Sequence, residues 1–306
     1  MGETSKRILS AIVLVVIFLV ALLYSGFYYI DLFLFGLFII YFGLREFYDF
    51  SHREESQAFR GTGYFFSLLI FLVYYFQFMG MQTYIDPPAW VLDVAKLFNT
   101  SGFSPVIALL VLLMISSFLL QIIKRPLDGA LMSVASTVLA TLYVVIPIGH
   151  FLLLLGLSRF GEYYIFLVCV ITIISDAGAY FGGRWFGKNP AGLKVSPKKT
   201  WEGYITGNIS AVLCVQLLNY LWITFTSDKE LPLGLLESVV LSVIISFISV
   251  IGDLAESGLK RDAKIKDSAS IIPGHGGMLD LADALLFTIP CIYYYFKFKE
   301  VLGFPV

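Results

Sequence analysis

Residues 253–283 gather Asp253, Glu256, Ser257, Lys260, Arg261, Lys266, Asp267, Pro273, Gly274, His275, Gly276, Gly277, Asp280 and Asp283. If 253–261 is helical, Asp253, Glu256, Ser257 and Lys260 share one face through i,i+3 and i,i+4 spacing, and Asp280 and Asp283 share a face of the helix that follows. Carboxylates presented in pairs, with no cysteine and a single histidine nearby, suit a hard cation such as Mg²⁺, which keeps several waters and is shared with substrate phosphates. The glycines of 274–277 let backbone N–H groups approach an anion closely, and Lys260, Arg261 and Lys266 supply the opposing charge. This is the equipment of phosphoryl or nucleotidyl transfer, in which positioning and charge neutralisation supply most of the catalysis. No Ser-His-Asp grouping or nucleophilic cysteine stands out, and none is required if the attacking group is already an anionic phosphate. Singly, a Gly-Gly pair is a connector and a lone His275 is structural; the combination carries the reading.

Two stretches upstream belong with it. Ser175-Asp176-Ala177-Gly178-Ala179-Tyr180 lies in an apolar run, with Asp176 about two helical turns before its cytoplasmic end. A carboxylate at that depth is costly and is expected to face a cavity or a cation, the plainer alternative being a hydrogen bond between helices. The segment Lys194-Val195-Ser196-Pro197-Lys198-Lys199-Thr200-Trp201-Glu202-Gly203 reads as a turn at Ser196-Pro197 and a helix start capped by Thr200. A helix N-terminus beside lysines suits an anion. An anchor against anionic headgroups explains the lysines equally well, though not Glu202.

The elements that must position these residues are membrane helices. Of 306 residues, 58% are hydrophobic and only 14% charged, with a formal net charge of −1, whereas soluble domains run near 25% charged. Disordered chains, disulfide scaffolds and nucleic-acid binders are excluded by that composition. The three cysteines, Cys169, Cys214 and Cys291, lie apart in apolar stretches without metal-site spacing. A span needs about 20 apolar residues, and nine runs qualify, near 8–28, 30–44, 62–81, 103–123, 129–149, 162–182, 204–226, 233–252 and 279–296. The first follows Lys6-Arg7 and lacks a clear cleavage site, so it reads as an uncleaved span.

Short cytoplasmic loops carry the excess of Lys and Arg. With the N-terminus cytoplasmic and nine spans, only Lys96, Arg159, Lys229, Lys297 and Lys299 of the 21 basic residues fall on the far side. The expected fold is therefore an all-α polytopic membrane protein, with N-terminal helices over 1–126 and a catalytic region over 127–306 bearing cytoplasmic segments 183–203 and 253–279. No internal repeat of the kind common in secondary transporters is evident.

In these residues the chain resembles the phosphatidate cytidylyltransferases. Their signature S-x-L-K-R-x-x-x-x-K-D-x-x-x-x-x-P-x-H-G-G-x-x-D-R-x-D is met in register by Ser257, Leu259, Lys260, Arg261, Lys266, Asp267, Pro273, His275, Gly276, Gly277, Asp280 and Asp283. The stretches around Asp176, Ser196–Gly203 and Gly252-Asp253 also look like the family's pattern; the N-terminal half matches in hydropathy alone. The resemblance implies transfer of CMP from CTP to phosphatidate, with Mg²⁺ and a second, monovalent cation such as K⁺, by a homodimer in the bacterial inner membrane with its site facing the cytoplasm. It implies Asp253, Asp280 and Asp283 as leading metal carboxylates, with Asp176 and Glu256 secondary. Lys260, Arg261, Lys266, His275 and the Gly276-Gly277 backbone would hold the triphosphate, while Ser196, Lys198, Lys199, Thr200, Glu202 and Ser257 would serve the substrate phosphates and their loop. One departure is Leu281, where the family has arginine; leucine cannot bind phosphate, so Arg261, Lys266 or Arg184 is expected to supply the charge.

Three readings compete with this one. The first is a relative acting on another lipid phosphate. The second is an ion-coupled carrier, which would place carboxylates near mid-bilayer in both halves of the fold. The third is a non-catalytic scaffold, indifferent to Asp280 and Asp283.

Overall fold

A computed structural model of the chain describes residues 3–24, 26–53, 56–82, 87–100, 102–226, 229–269, 271–272 and 276–304. Pro273, Gly274 and His275 lie outside the described residues, as do the side chains of residues 3–12, 26 and 27. The described residues form helices, α1 (Glu3–Leu23), α2 (Ile30–Ser51), α3 (Arg60–Met81), α4 (Ala89–Phe98), α5 (Pro105–Lys124), α6 (Ala130–Ala140), α7 (Ile146–Gly156), α8 (Gly161–Phe186), α9 (Trp201–Phe225), α10 (Leu235–Asp262), α11 (Met278–Ala282) and α12 (Leu285–Val301). Among them no strand forms, only isolated bridges.

Among the described residues seven stretches are long and apolar enough to cross a membrane: α3, α5, the continuous run α6–α7, α8, α9, α10 and the run α11–α12. The protein is thus an all-α, multi-pass membrane protein. The other two expected spans fall on α1, whose described apolar part is Val13–Leu23, and on α2. That helix extends past the expected 44 to Ser51 and takes in Arg45, Glu46 and Asp49. Helix α4 occupies a stretch that the sequence reading leaves between spans.

The chain divides into two compact units, Met1–Gly156 with Ala263–Leu281, and Leu157–Asp262 with Ala282–Val306.

In the first unit α2 buries Leu32, Gly36, Ile40, Gly43, Leu44 and Phe47, the i, i+4, i+7 stripe of a helix with one packed face. Between α6 and α7 the helix widens into a π turn over Thr141–Val145, with the Ile146 N–H bonding Thr141 O. Pro147 explains it. Proline has no N–H for the carbonyl four residues back and its ring crowds that carbonyl, so the turn before it must be re-registered.

In the second unit α8 and α9 lie close because small residues face one another. A Cβ on Gly207 would stand 2.5 Å from Ser175 O, and one on Gly182 would overlap Thr206, whose hydroxyl donates to Gly178 O at 3.1 Å. Buried hydroxyls tie α8 to its other neighbours: Thr172 to Thr288 on α12 at 3.0 Å, and Ser175 to Ser249 on α10 at 3.4 Å. Such pairs satisfy polar groups that lipid cannot.

Candidate active site

Helix α10 continues through 253–261 as the spacing predicts, and ends at Asp262. Asp253, Glu256 and Lys260 therefore project from one side of it. Glu256 is fully buried and forms an ion pair with Lys260. Asp253 is paired with Lys199, which arrives from the loop between α8 and α9. The backbone at Gly252 makes a further approach possible, since a Cβ there would lie 2.9 Å from both Ala284 Cα and Asp283 O. Only glycine lets α10 come so near the turn that carries Asp283.

Asp283 sits between α11 and α12 with its Oδ1 accepting from Ala284 N at 2.6 Å, and it lies within the electrostatic reach of Lys260, Lys199 and Asp176. Lys199 in turn interacts with Asp176 and Asp283 as well as Asp253. Burial pushes its ammonium below the ordinary lysine range, and the Asp176 and Asp283 carboxylates push it back up. Three aspartates, from α8, α10 and the turn between α11 and α12, thus act electrostatically on one cation. Asp176 itself is exposed on α8, ten residues before the helix ends at Phe186. That is about 15 Å of helix, roughly a turn deeper than expected.

The loop that delivers Lys199 is braced at both ends. Thr200 caps α9, its hydroxyl accepting from Gly203 N at 3.2 Å, as its position predicts. Glu202, which no headgroup anchor explains, accepts from the Asn189 backbone N–H at 3.2 Å and from its side chain at 2.5 Å. Ala191 N to Lys199 O at 2.7 Å and Trp201 N to Asn189 O at 3.1 Å close the ladder. Thr200 and Glu202 are therefore engaged in shaping the loop. Ser196 is half-buried in the turn and Lys198 exposed.

In the first unit Asp280 is held differently. Its Oδ2 accepts from Ser268 N at 2.8 Å, Ser268 Oγ at 2.7 Å and Gly277 N at 2.8 Å. The two described glycines of the signature are explained by this bonding. Gly276 has φ +99°, a region open to glycine, and its amide pairs with Ile272 O at 3.2 Å. Gly277 has no room for a side chain because a Cβ would meet Ser268 Oγ and Glu46 Oε2. The anion that the Gly277 amide meets is thus the protein's own Asp280.

Glu46 is the residue that the sequence reading does not find. It is 1% exposed on α2 and accepts from Met278 N at 2.7 Å and Leu279 N at 2.9 Å, while Ser268 Oγ, 2.8 Å away, shares its one proton between Glu46 and Asp280. The available signal is a glutamate among the apolar residues of a helix, where an ionisable group needs a reason.

Of the remaining candidates, Ser257 is half-buried on α10, Arg261 is exposed at its end, and Lys266 is exposed beyond it. His275 lies outside the described residues. Among the described residues no three of His, Cys, Asp and Glu stand close enough to ligate one ion; Asp253 and Glu256 are paired with lysines instead.

The model of the cytidylyltransferase family matches residues 5–299. The chain is 35% identical to a phosphatidate cytidylyltransferase of Bacillus subtilis over 156 residues, 51% of this chain and 55% of that protein. It is 41% identical to a phosphatidate cytidylyltransferase of Haemophilus influenzae over 139 residues, 45% of this chain and 47% of the relative. With the chloroplastic phosphatidate cytidylyltransferase 5 of Arabidopsis thaliana the identity is 42% over 129 residues, 42% of this chain and 30% of the plant protein. The matched stretch spans about half the length of the two bacterial relatives.

Proposed function

The chain belongs to the cytidylyltransferase family, and on that premise we propose that it transfers CMP from CTP to phosphatidate, giving CDP-diacylglycerol and pyrophosphate. The observation that carries this reading is the ion pair of Asp253 with Lys199, whose ammonium also lies in the field of Asp176 and Asp283. Nucleotidyl transfer needs charge of both signs close together, to hold a cation and to neutralise phosphate oxygens.

In the reaction a phosphate oxygen of phosphatidate attacks the α-phosphorus of CTP. The bond from that phosphorus to the bridging oxygen breaks, and the electron pair leaves with pyrophosphate. The attacking oxygen is already anionic, so no side chain need remove a proton. Asp253, paired with Lys199, and Asp283 are hard carboxylate donors of the kind Mg²⁺ takes, and they would hold it; a metal role for Asp280 rests on its place in the signature alone. Bound there, Mg²⁺ would supply charge neutralisation on the triphosphate.

Lys199 and Lys260 both act electrostatically on Asp283, and they neutralise phosphate charge that the carboxylates would otherwise repel. Thr200, Glu202 and Asn189 hold the loop that aims Lys199. Lys198, Arg261 and Lys266 present exposed charge to the nucleotide, and one of the latter two replaces the arginine missing at Leu281. A site at the ends of membrane helices can admit lipid from the side and nucleotide from water. We place it on the cytoplasmic face of a bacterial inner membrane, with the N-terminus inside, because the basic residues crowd the corresponding loops. Homodimeric assembly and a second, monovalent cation rest on the family resemblance alone.

The test is transfer of label from α-³²P CTP to phosphatidate by the purified protein in detergent, with Mg²⁺ and with EDTA. Labelled CDP-diacylglycerol in Mg²⁺ alone is the expected result. CTP binding without product on phosphatidate, but with product on a polyprenyl phosphate, would reassign the lipid. No CTP binding would overturn the reading.

A further inference from the structure

The bonding around Asp280 starts on α2, in the part of the chain that the family signature does not reach. From it we infer that Glu46 is a positioning residue for Asp280 and for the segment that carries it; the link to metal rests on the transfer reading above. Glu46 holds two consecutive backbone amides, Met278 N and Leu279 N, and so fixes the entry into α11. Its Oε2 also lies 2.8 Å from Ser268 Oγ, which stands 2.7 Å from Asp280 Oδ2. One hydroxyl is therefore clamped between two carboxylates.

The geometry leaves little slack. Gly277 is pressed against Glu46 and Ser268 so closely that a Cβ would overlap both, and the Gly277 amide gives Asp280 its third donor at 2.8 Å. A buried carboxylate that accepts from two backbone amides fixes both at once, whereas a group of the same shape that presents an N–H instead meets another donor. Glu46→Gln makes that exchange without changing volume. It places an amide NH₂ against the Met278 N–H or the Leu279 N–H, whichever way the amide turns, and the clamp on Asp280 loosens. Residues that orient a metal ligand typically contribute about 10–100-fold to metal affinity or activity.

The test compares the purified full chain with Glu46→Gln, Ser268→Ala and the double variant, reading two quantities. Amide exchange followed by mass spectrometry is compared between a peptide covering 268–282 and one covering 205–220. The Mg²⁺ concentration giving half-maximal CMP transfer is measured in parallel. Exchange in 268–282 at least about tenfold faster in Glu46→Gln with 205–220 unchanged, a half-saturation raised about 10–100-fold, and a double variant no worse than the worse single one are the expected results. Unaltered exchange in 268–282 would overturn the inference. Exchange accelerated equally in both peptides, with an unchanged Mg²⁺ requirement, would do so as well, since Glu46 would then merely support the fold. A wild-type protein without CMP transfer, in which Glu46→Gln still loosens only 268–282, would overturn the transfer reading and leave the positioning of Asp280 in place.

Discussion

Asp280 and Asp283 are three residues apart in the chain, and beyond the amide bonds that both accept their surroundings differ. Asp280 accepts from two amides and a hydroxyl, neutral donors that fix direction. Asp283 lies in the field of two ammonium groups, Lys199 and Lys260, which balance charge. Neutral hydrogen bonds are short-ranged and directional, so they keep a side chain in one rotamer. Ammonium groups on flexible stems are point charges that can turn to an incoming phosphate. The difference suggests a division of labour, with rigidity supplied around Asp280 and exchangeable charge around Asp283.

Removing charge from the second group should cost most. Asp253→Asn is expected to lower CMP transfer by about 10²–10³-fold, the scale of losing one preorganised charge in a site, read from the initial rate of labelled lipid formation. A loss below tenfold would make Asp253 only the resting partner of Lys199. Lys199→Gln should cost about 10²-fold and weaken CTP binding in equilibrium dialysis, whereas Lys198→Gln, exposed on the same loop, should have a much smaller effect. Equal losses would mean that the loop acts by general charge alone.

The support beneath the charges should matter less for chemistry and more for stability. Gly207→Ala puts a methyl 2.5 Å from Ser175 O and should destabilise the α8–α9 pair by about 1–3 kcal/mol, seen as a lower unfolding midpoint in detergent. Glu202→Gln exchanges one of the acceptors of Asn189 for a donor. On a partly exposed loop this should reduce transfer by about 2–10-fold, the value of one hydrogen bond. Loss of folding there would show that the loop is structural throughout.

Hydropathy made the long helices legible, because each buries or exposes an apolar run of the right length. The i,i+3 pattern of Asp253, Glu256 and Lys260 was equally readable, since α10 runs on without a breaker to Asp262, and Thr200 announced its helix by residue type. What could not be read was tertiary. Glu46 and Ser268 are 222 residues apart, and nothing local to either marks the other as its partner. The extension of α2 to Ser51 hid behind Arg45, Glu46 and Asp49, which look like a loop when lipid is the assumed surroundings. The π turn at 141–145 follows from Pro147, yet hydropathy does not distinguish it from a regular helix. The Glu256–Lys260 pair is legible from its i,i+4 spacing, whereas Lys199, 54 residues before Asp253, is not marked as its partner by anything local.

The most direct test of the central claim is the Asp283→Asn variant beside the wild type, with CDP-diacylglycerol formed and pyrophosphate released counted in the same reaction. The account predicts equal amounts of the two products from the wild type in Mg²⁺ and neither, above an EDTA background, from a folded Asp283→Asn protein. Full transfer by that variant would contradict it.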